Sequence, residues 1–148
     1  DEQWRANIDA TLAELNTDYL PKPNPGLDKP LRDPDSRITV GCAGPYFVLE
    51  RWRLRAPYHD PADPWRFLTL SNVGDPATIA WSGGEETLGR AESVLLPAAI
   101  GEVTVSPTGE SADLIACYLP DLVRDIVEPL RAANHSEEAI RALGEVSL

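Results

Sequence analysis

Three arginines at a period of two, Arg51, Arg53 and Arg55, stand out in a chain of 148 residues whose formal net charge is −11. At that spacing all three fall on one face of a strand. A guanidinium fork matches phosphate, so the stripe could receive a small anion. The other reading is a solvated outer face paired with carboxylates of the next strand. Trp81, at the end of an apolar run, joins the arginines as a candidate ligand contact. Other chemistries lack their residues. His59 lies in a proline-rich loop and His135 lies between two helical stretches; no strand carries His-x-His, so neither a metal site nor a catalytic residue is assigned. Ser82-Gly83-Gly84 is a hairpin turn signal rather than a phosphate loop. Glu85 and Glu86 are neighbours on a turn and face apart. Cys42 and Cys117 lie in or beside apolar runs and read as reduced, buried thiols. A bridge between them would need neighbouring strands and an oxidising compartment.

The elements that must carry these residues are mostly strands. Phe67–Leu70, Thr78–Trp81, Glu86–Leu88, Ser93–Leu96, Val103–Val105 and Leu114–Leu119 are short apolar runs bounded by Gly and Pro. That rhythm belongs to an antiparallel sandwich or barrel of the jelly-roll kind. Ile38–Val40 and Tyr46–Leu54 precede them; in the second, Tyr46, Val48, Trp52 and Leu54 share one face, with Glu50 the exception. Pro57–Pro64 reads as a loop, with the sheet restarting at Trp65. Trp4, Ile8, Leu12 and Leu15 form a helical stripe suited to covering one side of a sheet, and that helix should stop near Asn16-Thr17-Asp18. Pro21, Pro23, Pro25, Pro30 and Pro34 make the next stretch an extended surface connector anchored by Leu27 and Leu31. After Pro120 the pattern turns helical again, with Pro129 bending or ending the first stretch. Ser136 caps the second, and Gly144 closes it. The expected organisation is residues 1–36 as helix and connector, 37–120 as barrel, and 121–148 as a helical extension.

An even acidic surface argues against nucleic-acid binding, which needs a basic footprint. No apolar run approaches the ~20 residues of a membrane span, and no signal-peptide pattern opens the chain, so it reads as cytoplasmic without a membrane partner. The chain begins at Asp1 and contains no Met. That reads as a processed chain or a piece of a longer one.

The barrel rhythm suggests the cupin class, and particular motifs narrow it. Cys42-Ala43-Gly44-Pro45-Tyr46-Phe47-Val48-Leu49-Glu50-Arg51-Trp52 resembles the strand that opens the C-terminal cupin of type I mannose-6-phosphate isomerases. Phe67–Gly74 resembles the strand and glycine turn that follow, Gly89–Ala98 the family's turn-and-strand motif ending in Leu-Leu-Pro-Ala, and Leu114–Pro120 its closing strand. The resemblance covers roughly residues 4–120. It implies a mostly β, cupin-like jelly-roll barrel with flanking N- and C-terminal helices. In that family zinc is held by Gln, His, Glu and His of the N-terminal cupin, and no position here matches them. Zinc is therefore expected only in a catalytic cupin outside this chain.

The resemblance thus implies a supporting domain for the isomerisation of mannose 6-phosphate and fructose 6-phosphate, not catalytic alone. Its partner would be an N-terminal catalytic cupin or a second copy, and its small molecule a sugar phosphate. The alternatives are a stand-alone, metal-free cupin that takes a carbohydrate or small anion at the barrel mouth, or an interaction and dimerisation domain.

Overall fold

The computed structural model describes residues 2–15, 24–61, 63–144 and 146. The expected helix end at Asn16–Asp18 and the prolines Pro21 and Pro23 lie outside them. Among the described residues the first helix, α1 (Glu2–Glu14), is followed by ten strands: β1 (Leu27–Asp28), β2 (Arg37–Ala43), β3 (Val48–Leu54), β4 (Tyr58–Asp60), β5 (Leu68–Asn72), β6 (Ala77–Trp81), β7 (Gly84–Leu88), β8 (Ser93–Leu96), β9 (Val103–Pro107) and β10 (Ala112–Tyr118). A wide helical turn, Val123–Val127, leads into α2 (Glu128–Ala132), and α3 (Glu137–Arg141) follows.

The strands form two antiparallel sheets, one in the order β1-β2-β3-β10-β5-β8 and the other β4-β9-β6-β7. Residues of β3 alternate buried and exposed without a break, the period-two pattern of a strand with one face in the core. Inward side chains of both sheets, among them Trp52, Leu54, Leu70, Leu114, Ile79 and Val105, belong to one hydrophobic cluster. Trp52 of β3 meets Tyr58 of β4 edge to face at 4.8 Å, tying one sheet to the other. Leu27 and Leu31 pack against the cluster, as expected of anchors. Ile126, Val127, Leu130, Ile140 and Leu143 are part of it, so the C-terminal helices share the barrel's core.

Four expectations are corrected. The stretch Pro57–Pro64 contains β4, because Tyr58, His59 and Asp60 pair with Val105, Thr104 and Val103 despite the flanking prolines. Prolines are tolerated there since β4 is an edge strand. Trp65 does not restart the sheet; it is 88% exposed in a turn held by Asp63, and β5 begins three residues later. Among the described residues the stripe of α1 is not buried against the sheet: Ile8 is half-buried, and Trp4, Leu12 and Leu15 are exposed. Pro129 does not end the helical stretch, which runs on from Leu122 through the wide turn Val123–Val127 into α2; the helix is widened just before the proline instead.

Ser136 caps α3 as its sequence predicts, accepting the Ala139 N–H at 3.2 Å. Gly144 has φ +146°, and a Cβ there would stand 2.5 Å from the Ala43 carbonyl oxygen. Glycine is required because the C-terminal segment docks on β2, where Ala43 N–H bonds the Leu143 carbonyl at 3.0 Å.

Candidate functional site

Glu50, the exception on the apolar face of β3, is the residue around which the site is built. In register it lies between Val40 of β2 and Ala116 of β10, two short neighbours that leave its carboxylate free to extend inward. It is 2% exposed. Three donors meet it: Trp52 Nε1 bonds Oε2 at 2.7 Å, Tyr118 OH bonds Oε1 at 2.7 Å, and Lys29 Nζ reaches Oε1 at 2.5 Å. Lys29 Nζ also donates to Tyr118 OH at 3.1 Å. A carboxylate taken from water needs this degree of pairing.

A second buried pair stands beside the first. Arg66 Nη2 bonds Asp60 Oδ2 at 2.6 Å, with both side chains nearly buried. The Arg66 guanidinium lies 4.7 Å from the centre of the Tyr118 ring, a cation–π contact. Burial raises the Asp60 pKa above its ordinary value, with Arg66 pulling the other way. Burial works against the charge on Arg66, but Asp60 outweighs it and the guanidinium stays protonated. Burial also pushes up the phenols of Tyr58 and Tyr118, with Asp60 adding at Tyr58 and Glu50 at Tyr118, so both remain neutral donors.

Lys29, Tyr58, Asp60, Arg66 and Tyr118 line a cavity of ≈420 Å³ that opens between the sheets, with Glu50 buried beneath the Lys29 and Tyr118 that hold it. Its walls come from three segments outside the regular barrel: Lys29, Pro30 and Leu31 of the connector; Pro61, Asp63 and Arg66 after β4; and Arg124, Asp125 and Pro129 of the C-terminal segment. Arg124 bridges Asp63 at 2.5 Å and Asp125 at 2.7 Å, so it ties two of these walls together. The volume lies within the ~300–1,000 Å³ of small-molecule clefts. Three cations, Lys29, Arg66 and Arg124, and three carboxylates, Asp60, Asp63 and Asp125, line it, and every cation is already paired, Lys29 with the buried Glu50.

The arginine stripe lies elsewhere. Arg51 holds Asp113 through two bonds, at 2.9 and 2.6 Å, and Arg55 bonds Glu110 at 2.7 Å. Arg53 projects from the same outer face and lines a hollow of ≈370 Å³ with Asp35, Arg37, Arg55 and Asp113. Trp81 continues the inward row of Ala77 and Ile79 in the other sheet, and its indole lies over Gly83. Outer face of one sheet and inner side of the other, the stripe and Trp81 do not converge on one ligand. His59 is exposed and pairs Thr104 across β9 at 2.8 Å, while His135 meets the Asp28 carbonyl at 2.9 Å. Among the described residues no group of three His, Cys, Asp or Glu side chains is placed to hold a metal ion.

Cys42 and Cys117 are free and half-buried. Both pair with Leu49, from opposite sides of β3. Two strand spacings, about 9.5 Å, exceed the roughly 7 Å that a disulfide spans between Cα atoms.

No family model matches this sequence, and no curated protein matches it closely enough to count as a relative. Solved structures do match in fold. The cupin domain of Schizosaccharomyces pombe Cnp3 superposes with TM-score 0.52 at 8% identity, covering 75% of this chain and 76% of that one. This is the cupin fold. The mannose 6-phosphate isomerase of Bacillus subtilis gives TM-score 0.56 at 13% identity, with 75% of this chain aligned to 33% of that enzyme. An HTH_3 family transcriptional regulator from Vibrio cholerae gives TM-score 0.54 at 8% identity, with 62% of this chain on 55% of the regulator. The cupin therefore spans only part of both latter proteins. At such identities the likeness is one of fold, and the same barrel serves different roles. No helix among the described residues is long and apolar enough to cross a membrane.

Proposed function

We propose that this cupin is a ligand-binding domain that works without a metal, and that its ligand is a small, uncharged polyhydroxylated molecule of the sugar class. The observation that carries the reading is the cavity where Lys29, Arg66 and Tyr118 converge on buried carboxylates. Sugar hydroxyls both donate and accept, so they can exchange with bonds of this mixed network. A phosphate would bring two negative charges to a cavity whose cations are already matched by carboxylates, and gains little there. Titration calorimetry with hexoses and their 6-phosphates tests this. Heat with a neutral sugar, weakened about tenfold in Arg124→Ala, supports it; heat with the phosphate alone overturns it. Stoichiometric zinc in the purified chain would overturn the metal-independent part.

A second reading makes the chain the supporting domain of an enzyme that interconverts mannose 6-phosphate and fructose 6-phosphate. The order of the motifs at Cys42–Trp52, Phe67–Gly74 and Gly89–Ala98 favours it, and so does the fold likeness to one third of the Bacillus isomerase. On this reading catalysis and zinc belong to a partner cupin. Co-expression with such a domain and assay of the isolated halves would separate the two readings.

A further inference from the structure

We infer that the ligand carries an apolar group, as an aryl or alkyl glycoside does, and spans two adjoining cavities; this rests on the sugar-class reading of the first. The second cavity, of ≈480 Å³, shares Pro30, Leu31, Tyr58 and Pro61 with the polar one. Those four residues are a common wall, so the two spaces lie side by side against it. Beyond the wall the lining changes to Leu54, Ala56 and Pro57, with polar groups at the rim.

Of the polar groups at the rim, Ser36, Asp33 and His59 are already bonded, while Arg32 stands exposed at its edge. Ser36 Oγ donates to Asp33 at 2.5 Å and accepts the Arg55 N–H at 2.8 Å, and the His59 ring is bound to Thr104. Away from Arg32 a polar substituent would find few free partners there, whereas an apolar one gains burial against Leu31, Leu54 and Ala56. Tyr58 fixes the division: Trp52 holds its ring edge to face, and burial keeps its phenol protonated. Polar head on one side and apolar group on the other is the distribution that the two linings accept.

The test is amide NMR titration of the full chain with the methyl and phenyl glycosides of one hexose, and with phenol alone. The phenyl glycoside should bind about tenfold or more tighter than the methyl glycoside, shifting Leu31, Ala56 and Tyr58 together with Arg66 and Tyr118. Ala56→Phe, which fills the second cavity, should remove that gain and leave methyl glycoside binding unchanged. Should this variant fail to fold, phenol answers in the wild type, since it must shift Leu31, Ala56 and Tyr58 by itself. Equal affinity for the two glycosides overturns the inference and leaves the sugar-class reading intact. No shift near Arg66 and Tyr118 with either glycoside overturns both, even if phenol binds.

Discussion

Replacing Glu50 by Gln keeps the shape of the side chain and removes the charge on which the site is built. Glu50 is 2% exposed, and its two oxygens accept from Trp52, Tyr118 and Lys29. An amide has one acceptor oxygen, so in either orientation its NH₂ faces a donor. One bond at least is lost, and the Lys29 ammonium, 16% exposed, loses its countercharge. Removing one member of a buried ion pair costs about 3–5 kcal/mol; residual access of Lys29 to water puts the expected loss at the lower end, about 3 kcal/mol. For a chain of this size that lowers the melting temperature by roughly 6–12 °C. Thermal unfolding followed by circular dichroism measures it. Adding Lys29→Met to Glu50→Gln should recover about 1–2 kcal/mol, because the stranded charge goes with it. Arg55→Ala, at an exposed pair with Glu110, serves as control and should leave the melting temperature unchanged. A fall of less than about 2 °C for Glu50→Gln would refute the reasoning, for Lys29 would then be finding water instead of depending on the carboxylate.

Three further outcomes follow from the same structure. Asp60 titrates above its ordinary value of 3.8 because burial disfavours its charge; a raised carboxyl binds more protons folded than unfolded, so its contribution is full below that value and is lost as pH rises through the folded one. Asp60→Asn should abolish that segment of the stability–pH curve, and an Asp60 carboxyl titrating at or below 3.8 by NMR would contradict the assignment. Gly144→Ala should destabilise by about 2 kcal/mol, through strain at positive φ and contact with the Ala43 carbonyl; unchanged thermal stability would mean that the C-terminal segment does not dock on β2. Cys42 and Cys117 should remain two thiols under mild oxidant, with no loss of two mass units in the intact monomer, since Leu49 separates their strands.

The barrel was legible because its strands are short, periodic and punctuated by Gly and Pro, which are local signals. Ser82-Gly83 does turn β6 into β7, pairing Trp81 with Gly84. The strand β4 was hidden because prolines bracket it and an edge strand tolerates what a central one does not. The site was legible only as an anomaly, a glutamate on an apolar strand face. Its partners carry no periodic signal: Lys29 stands beside Pro30 in the connector, Arg66 follows an exposed Trp65, and Tyr118 lies 68 residues from Glu50. The arginine stripe, conspicuous in sequence, is conspicuous because outer strand faces are also periodic, and Asp113 and Glu110 occupy two of its three members. Charge pattern locates a face; it does not say whether the opposite charge is already there.

The most direct test of the central claim is a map of amide chemical shifts during titration with a neutral hexose and with its 6-phosphate. Shifts that cluster at residues 29–31, 60–66, 118 and 124–129, and appear with the neutral sugar, are expected if the inter-sheet cavity is the binding site. Shifts confined to Arg37, Arg53 and Arg55, and seen only with the phosphate, would contradict it and return the site to the outer face of β3.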